Sequence, residues 1–419
     1  MKKLLGIVIL GLLIVNNSYS NDRYLSEFEQ WLYDNDHHQY LTLNEDNSKY
    51  KSNLNIKFYS SWDIPYKAKP NADTLLYYLF KELNTDKSFG QVGSVGSESP
   101  YKFEFNLRED KYVKKQMQKT ALLSYLLYED GKITVDEITP KDRFGILFDD
   151  NTKWTSASVG KSLVSYVTGH AICKGYIDSV DTRLNDWPLI ENTLFHDQKL
   201  IDLLNMAAGD QKYVDYDLKT NKYSKNANRN TIKFHMKSGI FKNTKKSKNK
   251  YNYSNVISNI VINYVWYKSD GNFQKLLDEI FIEKIKVKNN VSFLRMKRNN
   301  VEFRYEVKDE DGSIRYSFRA SRYDYLRIAK TMLDDWNNDT CVGKYLKTIH
   351  DRQISKNNNK DDPKSASGMA KSYAGFFLTN YKSIDKNRNI MGMAGNGGQS
   401  ILIDFDRGRI IVINSIHSN

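Results

Sequence analysis

Apolar and polar positions follow one another in three textures along this chain. Residues 4–15 are an unbroken apolar run of twelve behind the charged start Met1-Lys2-Lys3, and small residues follow at Ser18-Tyr19-Ser20. That layout predicts a secretory signal over residues 1–20. Twelve residues fall short of the roughly 20 that span a bilayer as a helix. The first reading is therefore a cleaved signal, and the second an uncleaved N-terminal anchor. No cysteine follows the run to carry a lipid, and no other long apolar run exists. The chain reads as exported, periplasmic or secreted, with no stable membrane span after signal cleavage. Residues 21–118 form the second texture, polar, aromatic and weakly periodic, with a Gly- and Ser-rich loop or linker at 90–99. This region carries no assignable chemistry.

From residue 119 to 419 the periodicity sharpens into one expected domain. Residues 120–128 read as a strand, Glu129-Asp130-Gly131 as a turn, and 132–138 as the returning strand. After a polar connection, Thr155 or Ser156 is placed to cap a helix over 157–174. Its apolar stripe is Leu163, Val164, Val167 and Ala171, and Gly175 stops it. Residues 200–206, 256–267, 273–285 and 323–334 repeat the helical pattern, within and beyond a helical insertion expected at about 155–310. A hairpin of 400–405 and 409–414 around Asp406-Arg407-Gly408 closes the chain. Strands at both ends with helices between them predict an α/β protein in which sequence-distant strands share one sheet.

Composition changes this picture little. The chain has 419 residues and a formal charge of +13, two fewer without Lys2 and Lys3. That excess attracts polyanions, but it is spread among Asn, Lys and Tyr with no basic-aromatic motif, so no nucleic-acid partner is expected. The densest run, 242–250, reads as a solvated loop, with the drawing-in of an anionic substrate as the lesser reading. Seven scattered histidines give no zinc-ligand spacing, and no metal or cofactor is called for. Of the two cysteines, Cys173 sits on the apolar face of the 157–174 helix and reads as a buried thiol rather than as half of a bridge to Cys341.

Three short stretches carry chemistry together. Ser158-Val159-Gly160-Lys161 puts a hydroxyl and an amine at i and i+3, on one helical face. A serine hydroxyl is a poor nucleophile until a base takes its proton. Tyr253-Ser254-Asn255 follows 95 residues after Ser158 and offers a phenol as base and acid partner and an orienting amide. Gly395-Asn396-Gly397-Gly398-Gln399 precedes a strand and offers close backbone approach and free N–H groups for an oxyanion. Alone, each is ordinary: a helix start, a polar loop, a turn. The end of a phosphate-binding loop is imitated by Gly160-Lys161-Ser162, but the glycine that motif requires five positions earlier is Thr155.

In this order the three motifs resemble those of the serine β-lactamase and penicillin-binding-protein-like hydrolases, near the class C and carboxylesterase branch. The resemblance runs from about residue 120 to the end and includes residues 126–137, 154–181, 201–209 and 321–329. It implies a β-lactamase/transpeptidase-like antiparallel sheet flanked by helices, with an inserted, mostly helical subdomain. It also implies Ser158 as acylated nucleophile, Lys161 as its proton acceptor, Tyr253 as the base and acid partner and Asn255 as the orienting amide. The Ser158 N–H would be one oxyanion donor, the other coming from the strand after the glycine motif.

Departures shape the expected activity. No Lys or His stands in the third motif, whose Gly-x-Gly-Gly-Gln form looks more like the 6-aminohexanoate-dimer hydrolase and esterase subgroup. No Glu-x-x-Leu-Asn segment follows Ser158, and residues 281–286 lack the Pro-Leu-Gly often found there. The usual C-terminal helix is missing after the last strand, which leaves its face of the sheet either to residues 21–118 or to a lost piece of chain. The leading expectation is an exported serine hydrolase of esters or linear amides. A D-Ala-D-Ala-type peptidase or β-lactamase acting on cell-wall-like peptides comes next, and a non-catalytic cell-envelope binding or sensor protein is the alternative of another class. Oligomeric state is not legible.

Overall fold

In the computed structural model the described residues are 28–34, 41–43, 50–58, 63–65, 67, 70–83, 89–213 except 146, 231–238, 241–296, 312–356 and 366–417. The expected signal at 1–20 lies outside them. After a helical stretch at 28–34 come β1 (Leu41–Leu43), β2 (Tyr50–Ser52) and α1 (Ala72–Leu83). Next come β3 (Phe89–Ser94), β4 (Glu104–Phe105), α2 (Lys111–Lys119), β5 (Leu122–Glu129), β6 (Lys132–Ile138) and β7 (Trp154–Thr155). The helical middle holds α3 (Val159–Cys173), α4 (Leu200–Leu204), α5 (Asn255–Lys268) and α6 (Phe273–Asp278). β8 (Val291–Met296) and β9 (Ile314–Ala320) lead to α7 (Arg322–Asn337), α8 (Cys341–Asp351) and β10 (Ile354–Ser355). The chain closes with β11 (Ala370–Ala374), β12 (Phe377–Tyr381), β13 (Ile390–Gly395), β14 (Gln399–Asp404) and β15 (Arg409–Ser415).

The large sheet has the order β10-β11-β12-β13-β14-β15-β5-β6-β4. Every pairing in it is antiparallel except that of β4 with β6. The two ends of the domain meet where β15 pairs with β5, Ile410 opposite Tyr128 and Val412 opposite Leu126. The β5–β6 hairpin turns through Asp130 and Gly131, both at positive φ, the conformation a two-residue hairpin turn demands. A second sheet, β3-β8-β9-β7, runs beside α3.

Helix α3 is buried on every side from Val159 to Ala171, which marks a helix inside the core rather than one facing solvent. α7 packs on one face of the large sheet, where Trp336 stacks on Phe405 with centroids 4.2 Å apart. On the other face, Val113 and Met117 of α2 cluster with Leu122, Tyr125 and Ile413. Residues from the chemically silent N-terminal texture thus cover part of this sheet, and β3 and β4 join the two sheets.

Three local expectations change. The 157–174 helix starts at Val159 with Ser158 as its cap residue, and no side chain caps it. The Ser156 hydroxyl is used elsewhere, accepting from the Phe318 N–H at 2.8 Å. The 273–285 helix widens into a π-helical turn over Glu279–Lys284. Cys173 is no buried free thiol: it forms a disulfide with Cys341, the Cα atoms 5.8 Å apart. Its place on the apolar stripe hid this, because it stands at the half-buried last turn, where α8 begins. Gly169 lets Tyr345 pack against α3, a Cβ there lying 2.5 Å from the Tyr345 ring, and that contact brings the two cysteines together.

The bridge closes a long loop and constrains the unfolded chain, so replacing both cysteines by Ala is expected to cost about 2–4 kcal/mol. Denaturant unfolding measures this, and unchanged stability would contradict it.

Candidate active site

The site begins at a strained turn. Strand β7 ends at Thr155, and Ala157 takes φ +45°, a conformation that costs a non-glycine residue about 1–3 kcal/mol and clusters at functional sites. Ser156 pays into that strain from both sides, its N–H donating to the Phe318 carbonyl at 2.7 Å and its hydroxyl holding the Phe318 N–H. The turn delivers Ser158 to the head of α3, with Lys161 one helical turn inside.

The structure brings the first two expected residues together. Lys161 Nζ lies 3.0 Å from Ser158 Oγ. Lys161 is only 1% exposed, while Ser158 is half-buried and open to a substrate. Burial, reinforced by the nearby charge of Arg315, holds the Lys161 amine well below the ordinary lysine pKa. Arg315 is itself buried and its own pKa is lowered to about 10.

Tyr253 stands just before α5, with its ring centroid 4.7 Å from Lys161 Nζ. Its segment is tied down from both sides. Asn252 donates from its backbone to the Met206 carbonyl at 2.7 Å and from its side chain to Asp210 Oδ1 at 2.8 Å. Asp210 is fully buried, and burial raises its pKa to about 6. Asn255 opens α5, half-buried, and its Oδ1 is buried without a hydrogen-bond partner, an acceptor available to a ligand or to Lys161.

The third motif divides. Gly395 ends β13 flush against the Ser156–Ser158 turn: a Cβ on it would lie 2.4 Å from the Ser156 carbonyl oxygen and 3.0 Å from the Ser158 N. Asn396, Gly397 and Gly398 form the turn from β13 to β14, with Gly397 and Gly398 at φ +80° and +78°. His417 packs against Gly398. Gln399 is buried, and its amide is committed to the fold, donating to the Ser415 carbonyl at 2.6 Å and accepting from Asn414 at 3.0 Å. The motif therefore supplies one residue beside Ser158 and four that shape the hairpin holding it there.

Several residues escaped the sequence reading. Tyr316 of β9 lies over Lys161, its ring centroid 3.5 Å from Nζ. Asn259 and Asn263 of α5 clamp that strand: Asn259 Oδ1 accepts from the Tyr316 N–H at 3.0 Å, and Asn263 Oδ1 from the Ile314 N–H at 3.1 Å. An Asn pair four apart on an apolar helix was the available signal, since two amides inside a core must bond to something. Tyr316 gave none, being one of 29 tyrosines. Among the described residues no group of three or more His, Cys, Asp or Glu is placed to hold a metal ion.

No protein-family model matches the chain, and no curated protein does. Solved structures do match. A Bacillus anthracis protein assigned as a 6-aminohexanoate-dimer hydrolase superposes with a TM-score of 0.60 at 12% identity, over 88% of this chain and 94% of that one. EstCE1, a hydrolase with promiscuous acyltransferase activity, gives 0.52 at 11% identity, over 74% of this chain and 92% of that one. A penicillin-binding-protein homologue from Caulobacter crescentus gives 0.50 at 12%, over 75% and 93%. The chain has the serine β-lactamase and penicillin-binding-protein fold. Within that fold, the Ser156–Ser158 turn and the β13–β14 hairpin are locked against each other at Gly395 with no space for a side chain between them.

Gly395→Val is therefore expected to force the turn and β13 apart. An activity loss of roughly 10²–10³-fold would match the removal of an oxyanion donor, with the circular dichroism spectrum retained. Full activity in that variant would show that β13 does not contribute to the site.

Proposed function

We propose that this protein is an exported serine hydrolase that cleaves an ester or linear amide through an acyl-enzyme on Ser158. The observation that carries this reading is the short Lys161–Ser158 contact inside an almost fully buried pocket for the amine. A lysine at its ordinary pKa of about 10.4 would be neutral in roughly one molecule in a few thousand at pH 7. Burial penalises the ammonium and makes the amine a usable base.

Lys161 takes the Ser158 proton as Oγ attacks the carbonyl, with Tyr253 as its partner in passing that proton to the leaving group. The Ser158 N–H and the β13 backbone at Gly395 hold the developing oxyanion. Water then attacks the acyl group, and the same pair accepts its proton. Asn255 orients the substrate carbonyl or Lys161.

An uncharged ester or amide is favoured over a carboxylate-bearing lactam or D-Ala-D-Ala peptide, because Ile390–Gly395 offers no cationic side chain to bind a carboxylate. The Cys173–Cys341 disulfide supports export, since such bonds persist in oxidising compartments. An intact Ser, Lys and Tyr set weighs against a purely binding or sensing role.

Ser158→Ala is expected to abolish labelling by a fluorophosphonate probe, and full labelling of that variant would refute the assignment. Because the neutral amine is the active form and its pKa is depressed, the labelling rate should rise with pH through a midpoint well below that of an ordinary lysine, then level off. A rate that climbs only above pH 10 would contradict this. A panel of p-nitrophenyl esters, short linear amides and nitrocefin ranks the substrate classes, with esters or amides expected to lead.

A further inference from the structure

Strand β9 sets a second phenol at the nucleophile, and the mechanism above makes no use of it. The Tyr316 ring is nearer to Lys161 Nζ than that of Tyr253, 3.5 Å against 4.7 Å. Lys161 Nζ itself lies 3.0 Å from Ser158 Oγ, so the Tyr316 ring, the amine and the hydroxyl form one cluster, within which the Ser158 side chain pulls the phenol pKa down. The position is held rigidly. Tyr316 N–H donates to Asn259 Oδ1, and its carbonyl oxygen abuts α3 so closely that a Cβ on Gly160 would lie 2.0 Å from it. Burial pushes the phenol pKa up, more than Arg315 and Ser158 pull it down. Tyr316 thus stays protonated at neutral pH, a donor and not a base.

We propose that Tyr316 is the proton donor to Ser158 Oγ when the acyl-enzyme breaks down, an inference that rests on acylation of Ser158. In deacylation the water oxygen bonds to the acyl carbon and its proton passes to Lys161, with Tyr253 assisting. The carbon–Oγ bond then breaks, its electron pair stays on Oγ, and the Tyr316 phenol proton moves to that oxygen. The phenolate takes a proton back from the adjacent Lys161 ammonium. One water is consumed, the acid is released, and Ser158, the neutral amine and the phenol are restored. The two phenols divide the labour: Tyr253 works with Lys161 on the proton of the attacking group, and Tyr316 serves the departing Oγ.

Tyr316→Phe keeps the ring against Lys161 and deletes only the hydroxyl. With p-nitrophenyl acetate the variant is expected to acylate at the wild-type rate and then turn over about 10²–10⁴-fold more slowly, the range general acid catalysis supplies. Acetylated protein should accumulate in intact-mass spectra, and fluorophosphonate labelling at the wild-type rate would show that the folded site survives. Equal slowing of acylation and turnover would make Tyr316 a packing residue and overturn the proposal, as would unchanged turnover with no accumulated adduct. If the wild-type protein is neither labelled nor active, the reading of Ser158 has failed. If it is both while Tyr316→Phe behaves identically, only the role of Tyr316 falls.

Discussion

Everything in the candidate site depends on keeping one amine dry. Lys161 sits in the first turn of a helix buried on all sides, roofed by the rings of Tyr253 and Tyr316 and in contact with the Ser158 oxygen. Each pKa unit by which burial lowers an amine corresponds to about 1.4 kcal/mol of differential interaction between its two protonation states. The fold meets that cost with an extensive apolar core around α3. A wetter or looser pocket would let the amine's pKa rise back toward the ordinary lysine value.

The two sheets serve this pocket in different ways. β13 presses Gly395 against the Ser156–Ser158 turn, and β9 presses the Tyr316 backbone against Gly160, so neither glycine has space for a side chain. α5 connects the pieces. Its first residue is Asn255, and its buried Asn259 and Asn263 fix the β9 backbone beside α3. Ser158 is half-buried where Lys161 is fully buried, so the hydroxyl is the more accessible of the two. α3 and β9 therefore fix the amine and the Tyr316 phenol, while the hydroxyl and the Tyr253 phenol stand on the short turns that lead into α3 and α5.

Much of this was legible in the sequence wherever chemistry and periodicity coincided. The β5–β6 hairpin, α3, α5, α7 and the closing β14–β15 hairpin all announced themselves by apolar spacing and turn residues, and Ser158 with Lys161 by their separation on one helix. What stayed hidden was set by tertiary contact. The disulfide depends on Gly169 admitting Tyr345, which no local pattern around Cys173 reveals. The split of the glycine motif, with Gly395 at the site and Gln399 spent on Ser415 and Asn414, follows from pairing with β15. Tyr316 could not be singled out because its neighbours along the strand carry no motif, and its meaning comes from the helix it touches.

The central claim concerns the protonation state of one side chain, and it can be read directly. Lysine labelled with ¹³C at Cε and ¹⁵N at Nζ reports that state by NMR, and the Lys161→Arg variant assigns the resonance. The account predicts a Lys161 amine that titrates well below the other lysines. A Lys161 signal that titrates with the rest, near pH 10.4, would contradict it.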